Sequence, residues 1–232
     1  MPSILITGAN RGLGLEWARQ YAETGWRVLA TCRQPEAAHE LQALARRLPE
    51  LSLHRLDVTD AAQVRSLAGA LRGVALDILL NNAGIYLEKY AEPVLGLLDY
   101  DGWARTCAVN TLGAVRVTEA FLDHVARSEW RLVVTIGSHM GSITDIAAPG
   151  SYYYRSSKAA LNAAMKGLAQ ALRPRGIGVL ILHPGWVRTR MGGPNAPLLP
   201  EESVLGMRAS IERFTLADTG RFFRYDGTEI PW

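Results

Sequence analysis

The stretch Ser3-Ile-Leu-Ile-Thr7, followed without a break by Gly8-Ala-Asn-Arg-Gly12-Leu-Gly14, decides how this chain is read. The first five residues form a short apolar run of strand character. Residues 15–24 have helical composition, and Gly25 stops them. A strand, a glycine-rich turn and a helix make the setting in which a helix N-terminus receives a phosphate. Glycines let the backbone turn tightly and approach a pyrophosphate with no Cβ in the way. The spacing is Gly-x-x-x-Gly-x-Gly, not the commoner Gly-x-Gly-x-x-Gly.

The pattern repeats downstream. Residues 27–31 are a second apolar run, ending in Cys32-Arg33, and a helical stretch follows from Pro35 to about Leu48. Residues 51–56 read as a third strand, closed by Asp57-Val58. Thr59-Asp60 starts a helix that runs to about Leu71. Residues 76–80 are a fourth strand, ending in Asn81-Asn82-Ala83-Gly84. This alternation implies parallel βαβ units with right-handed crossovers. Ligands in such sheets bind beyond the carboxyl ends of the strands. Gly8 to Gly14, Arg33, Asp57 and Asn81 to Gly84 all fall at such ends.

Residues 87–101 are looser and suit a surface loop with a short helix. Residues 103–129 read as one long helix, bent, that contains Asn110. Asparagine is a poor interior helix residue because its side chain competes for backbone hydrogen bonds. A fifth strand, 131–136, leads to Gly137-Ser138, and a sixth, 177–182, to His183-Pro184-Gly185. Residues 187–200 are rich in Gly, Pro and Asn, which suits a mobile flap. A last helix over 201–215 extends the flap region to about 187–215, and 220–227 reads as an edge strand. Internal repeats, low-complexity linkers and a second domain are not visible. The expectation is a single α/β domain over 1–232, a Rossmann-type doubly wound parallel sheet of about seven strands flanked by helices.

Composition narrows the function. The 232 residues are 48% hydrophobic and 20% charged, and the net charge is +3, with no Lys/Arg block of the kind that binds nucleic acid. No apolar run is long enough to span a membrane and no secretory signal is visible, so a cytoplasmic location is expected. Cys32 and Cys107 are too few for a disulfide scaffold, and the five histidines form no spaced metal-ligand set.

Chemistry concentrates in Ser151-Tyr-Tyr-Tyr-Arg-Ser-Ser-Lys158, at the head of an alanine-rich helical run. Tyr154 and Lys158 are four apart and share a helix face. A nearby cation favours the phenolate and would lower the tyrosine toward the working range of a general acid/base. Alone, the pair is equally a surface tyrosine and a solvated lysine. The strand-end motifs tip the balance toward chemistry.

In this company the chain resembles the short-chain dehydrogenase/reductase family over nearly its whole length. Thr7 to Gly14, with Gly8, Asn10, Arg11, Gly12, Leu13 and Gly14, is similar to the family's cofactor loop. Asp57-Val58 resembles its adenine contact, and Asn81-Asn82-Ala83-Gly84 its sheet-supporting turn. Pro184-Gly185, with Val187 and Thr189, resembles its nicotinamide-binding segment. Asn110, Ser138, Tyr154 and Lys158 match its catalytic tetrad, with Tyr154 and Lys158 also touching the cofactor. Only Tyr154 of the three tyrosines has a lysine four residues on. Ser138 lies farther upstream than is usual, so residues around 144–150 read as a loop insertion. The insertion and the flap are similar to a carbonyl-reductase-like branch that also includes signalling proteins called C-factors.

The resemblance implies reversible, NADP(H)-dependent reduction of a small carbonyl compound, with Tyr154 as proton donor and Ser138 bonding the substrate oxygen. Lys158 would hold the ribose, and Asn110 a water that relays protons to it. The alternative is an NADP(H)-binding regulatory protein with little turnover. Cys32 stands where NAD enzymes place a carboxylate, and Arg33 and Arg11 would bind a 2′-phosphate. Tyr86, His139, Met140, Tyr152, Trp186 and Met191 either line a partly apolar pocket or are plain core and flap residues. Arg188 and Arg190 attract an anionic substrate or are solvated charges. The resemblance further implies a homodimer or homotetramer through the helices bearing Asn110 and Lys158; alternatively, the alanines pack only on the parent sheet.

Overall fold

A computed structural model describes residues 1–89 and 94–232, so part of the stretch expected as a loop with a short helix (87–101) lies outside the described residues. The chain alternates strand and helix: β1 (Ser3–Ile6), α1 (Gly12–Glu23), β2 (Arg27–Cys32), α2 (His39–Arg47), β3 (Leu51–Arg55), α3 (Ala61–Ala70) and β4 (Ile78–Asn81). Then come α4 (Tyr100–Cys107), a π-helical turn (Ala108–Gly113), α5 (Ala114–Ala126), β5 (Leu132–Ile136), α6 (Tyr152–Leu172), β6 (Gly178–His183), α7 (Pro200–Glu212) and β7 (Phe222–Arg224).

The strands form one parallel sheet in the order β3-β2-β1-β4-β5-β6-β7. The strand order reverses between β1 and β4, which opens a crevice at their carboxyl ends. Successive strand residues face opposite layers. Ile4 and Ile6 pack with Trp17, Leu41 and Met207 from α1, α2 and α7. Leu5 packs on the other face with Phe121, Leu161 and Met165 from α5 and α6. The seven-stranded Rossmann-type sheet expected from the sequence is the one observed. Among the described residues no helix is long and apolar enough to cross a membrane.

The long helix expected over 103–129 is α4, the π turn and α5 in succession, and Asn110 lies within that turn. Its side chain is 1% exposed and bonds outside its own helix. Single π turns inserted in α-helices are often found at functional sites.

The first crossover is tight. Gly8 has φ +68, and a Cβ there would sit 3.0 Å from Ala83 Cα. A Cβ on Gly14 would collide with the Gly8 carbonyl oxygen and the Asn82 side-chain amide. Helix propensity favours Ala over Gly by about 1 kcal/mol, but overpacking against backbone costs about 1–3 kcal/mol. Gly14→Ala is therefore expected to destabilise the fold, read as a lower denaturant midpoint at unchanged m-value.

Candidate active site

The loop motifs named from the sequence lie at, or just beyond, the carboxyl ends of parallel strands, while Asn110 sits in the π turn and Tyr154 and Lys158 in α6. The glycine turn follows β1, Arg33 follows β2, Asp57-Val58 follows β3 and Asn82-Ala83-Gly84 follows β4. Ser138 follows β5 and Pro184-Gly185 follows β6. The turn after β4 is tied to the turn after β1. The Asn82 and Ala83 backbone N–H groups donate to Thr7 Oγ1, both at 3.0 Å, and Asn82 Nδ2 donates to the Thr7 carbonyl at 2.9 Å.

The helix N-termini differ in a way that marks one of them for an anion. Asp60 accepts from the first turn of α3, and Asp99 from that of α4. Glu202 accepts from Leu199 at the head of α7. Helix α1 begins at Arg11 with no side-chain cap and no acidic residue in its first turn. Its first-turn amides and dipole are left as a cradle for an anion, and the turn before it is so close to the Asn82-Ala83 segment that a Cβ at Gly8 or Gly14 would meet backbone. These residues fit a dinucleotide pyrophosphate. Thr189 packs 3.4 Å from the position of a Gly12 Cβ, so the segment after β6 folds back onto the cradle. That segment, part of the expected flap, carries internal hydrogen bonds. Thr189 N–H bonds the Val187 carbonyl at 2.8 Å, and Arg188 N–H bonds Leu198 at 2.8 Å.

At the far end of the crevice a cavity of about 390 Å³ is lined by Arg33, Gln34, Arg55, Asp57 and Gln63. Arg55 was not foreseen; it lies opposite Cys32 in the sheet register and pairs with Glu36 at 2.8 Å. Strand pairing brings it there, which no local motif reveals. Arg11 is exposed and does not line this cavity. Asp57 Oδ1 accepts from Thr59 N–H and Oγ1, and Val58 packs against the π turn at Gly113.

Asn110, Ser138, Tyr154 and Lys158 are all buried and converge between β4, β5 and α6. Asn110 Oδ1 accepts from Ile85 N–H at 2.8 Å, and its Nδ2 donates to the Ile85 carbonyl at 2.9 Å and to Ser157 Oγ at 3.0 Å. A Cβ on Gly84 would lie 3.4 Å from Asn110 Oδ1 and 3.7 Å from Lys158 Nζ, which locates both beside the Gly84 turn. Tyr153 is structural: its hydroxyl accepts from Asp99 N–H at 2.6 Å, and its ring stacks on Trp103.

The electrostatics differ from the expectation in one respect. Burial pushes Tyr154 up to about 12; a hydrogen bond with Ser138 opposes this and the nearby Tyr86 adds to it. Lys158 does not lower the tyrosine here. Its Nζ donates to the Ile136 carbonyl at 2.8 Å, 5.8 Å from the tyrosine ring centroid, and burial brings Lys158 itself down to about 8. Desolvation disfavours both charged forms, which moves an acid up and a base down.

Of the candidate pocket residues, Tyr86 stacks on Tyr154 with ring centroids 4.3 Å apart. His139 pairs with Asp145 at 2.6 Å. Tyr152 and Met140 are half-buried, while Met191 and Trp186 are exposed, the latter donating to the Gly192 carbonyl. Arg188 Nε is bonded to the Ala196 carbonyl at 3.1 Å, and Arg190 is exposed. Residues 144–149 are an exposed loop, and the α6 residues Ala160, Ala163 and Gly167 are exposed rather than packed on the sheet.

With this geometry in view, the comparisons are decisive for the family. The sequence profile of the short chain dehydrogenase family matches residues 2–197. The chain belongs to the short-chain dehydrogenase family. It is an oxidoreductase of that family and binds a nicotinamide cofactor. The C-signal protein of Myxococcus xanthus is 45% identical over 157 residues, 68% of this chain and 93% of its own length. The carbonyl reductase Sniffer of D. melanogaster is 32% identical and superposes with a TM-score of 0.91, covering 100% of both chains. The NADPH-bound carbonyl reductase from chicken fatty liver is 32% identical with a TM-score of 0.92, covering 100% of this chain and 99% of its own.

His183 closes β6, with its ring 5.9 Å from that of His139. Burial is the largest of the effects that push it down to about 3, with His139, Arg224 and Lys158 adding to it. The folded state then refuses a proton that the unfolded chain takes up below 6.5. Stability should be full above that value and fall at about 1.4 kcal/mol per pH unit toward more acid conditions. Between pH 6.5 and 5, above the usual carboxylate range, His183→Asn should flatten the measured stability profile by that slope. His54 and His124, also lowered by burial, keep their own shares.

Proposed function

We propose that the chain catalyses reversible, NADPH-dependent reduction of a small carbonyl compound, an aldehyde, ketone or diketone, to the alcohol. The observation that carries this reading is the buried group of Tyr154, Ser138, Lys158 and Asn110 beside the Gly84 turn, at the open end of an uncapped α1 cradle. The cofactor supplies the hydride when bound. Tyr154, held protonated by burial, gives its phenolic proton to the substrate oxygen. Ser138 hydrogen-bonds that oxygen and orients it. Lys158 would hold the ribose hydroxyls, and Asn110 fixes the π turn and would anchor a water on the way to Lys158. Gly8, Asn10, Gly12, Leu13 and Gly14 would hold the pyrophosphate. Val58, Asp57 and Ala83 would flank the adenosine, and Pro184, Gly185, Val187 and Thr189 the nicotinamide. The exposed small residues of α6 favour a homodimer or homotetramer as the assembly.

The choice of NADPH rests on Arg33 at the cavity after β2 and on Cys32, 4% exposed, where a carboxylate would repel a 2′-phosphate. The NADPH-bound chicken carbonyl reductase supports it. The likeness to C-signal supports a second reading, a cofactor-binding signalling protein with little turnover. A panel of aldehydes, ketones and diketones followed by NADPH absorbance separates the two. Turnover is expected in the wild type, with a loss of roughly 10²–10⁴-fold in Tyr154→Phe. No turnover on any substrate despite tight NADPH binding favours the signalling reading.

Arg33→Ala should weaken NADPH by roughly 10–100-fold, the scale of one charge-assisted contact, and leave NADH nearly unchanged. Equal catalytic efficiency of the wild type with both cofactors would refute the preference.

A further inference from the structure

Helix α6 carries Tyr154 in its first turn, yet it lacks a cap of its own. Its N-cap residue, Ser151, is left-handed at φ 53 and ψ 36, makes no side-chain cap bond, and the first turn holds no acidic residue. This 21-residue helix, whose first turn is buried at Tyr153 and Tyr154, leaves several first-turn N–H groups and a positive dipole end to be satisfied. Glu88 satisfies two of them from 65 residues away. Its side chain is 6% exposed, and its two carboxylate oxygens accept separately: Oε1 from Tyr154 N–H at 2.8 Å and Oε2 from Tyr153 N–H at 3.1 Å.

The same loop grips the tyrosine at one further point, Tyr86, and is itself anchored at Ile85. Ile85 is held on both backbone atoms by Asn110. Tyr86 stacks on the Tyr154 ring at 4.3 Å, and its hydroxyl bonds Ser151 Oγ at 2.5 Å. The ring of Tyr154 is thus held by Tyr86 and its backbone amide by Glu88, the charged one of the two contacts.

Building on the reading of Tyr154 as proton donor, we propose that Glu88 is a positioning residue for the reaction, a remote carboxylate cap that sets the place and the electrostatic surroundings of Tyr154. The groups facing Tyr154 are Lys158 on its own helix, Tyr86 and Glu88 on the loop after β4, and Ser138 on the loop after β5. Of these, Glu88 contributes a negative charge against the positive end of α6. Its removal leaves the helix end uncompensated and favours the phenolate. The phenol should then lose its proton at lower pH, and the alkaline limb of the reduction profile should move down with it.

The test uses full-length Glu88→Gln, Glu88→Ala and Glu88→Asp beside Tyr154→Phe, with kcat against pH, KM and the NADPH Kd from cofactor fluorescence. Glu88→Gln keeps the shape but only one acceptor oxygen. It and Glu88→Ala should lower kcat by about 10–100-fold, the scale of a misplaced catalytic group, with NADPH Kd unchanged. In Glu88→Gln the alkaline limb should fall by about half a pH unit or more. Glu88→Asp retains the charge with a shorter reach, so its limb should stay in place while kcat recovers only in part. Wild-type kcat and limb in Glu88→Gln, with Tyr154→Phe inactive, overturn the inference. A Glu88→Gln protein that loses NADPH binding along with turnover also overturns it, since the carboxylate then serves folding at large. An active Tyr154→Phe would strike the underlying reading instead, and the inference falls with it.

Discussion

The loop after β4 has to satisfy two neighbours at once, and the site takes its shape from that requirement. On one side Asn82 and Ala83 bond Thr7, which sets the glycine turn of the cofactor cradle. On the other, Ile85 is clasped by Asn110 and Glu88 holds the head of α6. Buried backbone groups must be paired, so the loop has little freedom to slide without breaking bonds on both sides. The distance between the cradle and Tyr154 is therefore fixed by a short length of chain rather than by the packing of distant helices.

Burial is the common cause of the unusual titration behaviour around this loop. It raises Tyr154 to about 12, lowers Lys158 to about 8 and lowers His183 to about 3. At neutral pH the phenolate is then roughly one part in 10⁵. The protonation state held by the structure is the one that reduction uses, a neutral phenol ready to donate. The oxidative direction needs the phenolate, so groups that favour it, a cation or hydrogen-bond donors, bear directly on the reverse rate. Ser138 is such a donor, and Lys158 lies on the same helix face, one turn along.

Residues that act through neighbouring sequence were legible, and those that act through folding were not. The strand–glycine–helix order exposed the cradle, and alternation of apolar runs exposed the parallel sheet, because both are periodic and local. Asn110 stood out since asparagine is unfavourable inside a helix, and the structure answers with a π turn. Glu88 and Arg55 carried no such signal. A lone glutamate in a loop is ordinary until its carboxylate is seen closing a helix 65 residues later in the chain. Arg55 faces the Arg33 cavity only because β2 and β3 pair in a particular register. The expected lowering of Tyr154 by Lys158 went astray for a related reason. Spacing on a helix predicts a shared face, but it is silent on burial, and here burial outweighs the charge.

The energetics of Lys158 bear on whether the site is for turnover or for binding alone. Holding its ammonium in a buried position, where it titrates near 8 instead of 10.5, costs the folded state about 3 kcal/mol at neutral pH. That is a sizeable fraction of the stability of an ordinary domain. Apolar residues at the same position would pack without this cost, and a helix N-terminus with glycines already suffices to bind a pyrophosphate. A protein that only sensed its cofactor could still use Lys158 on the ribose, but it would gain little from burying the Tyr154 phenol beside it. The catalytic reading is therefore the stronger one, because a buried, protonated phenol held in place by a capped helix is useful chiefly when a proton has to move.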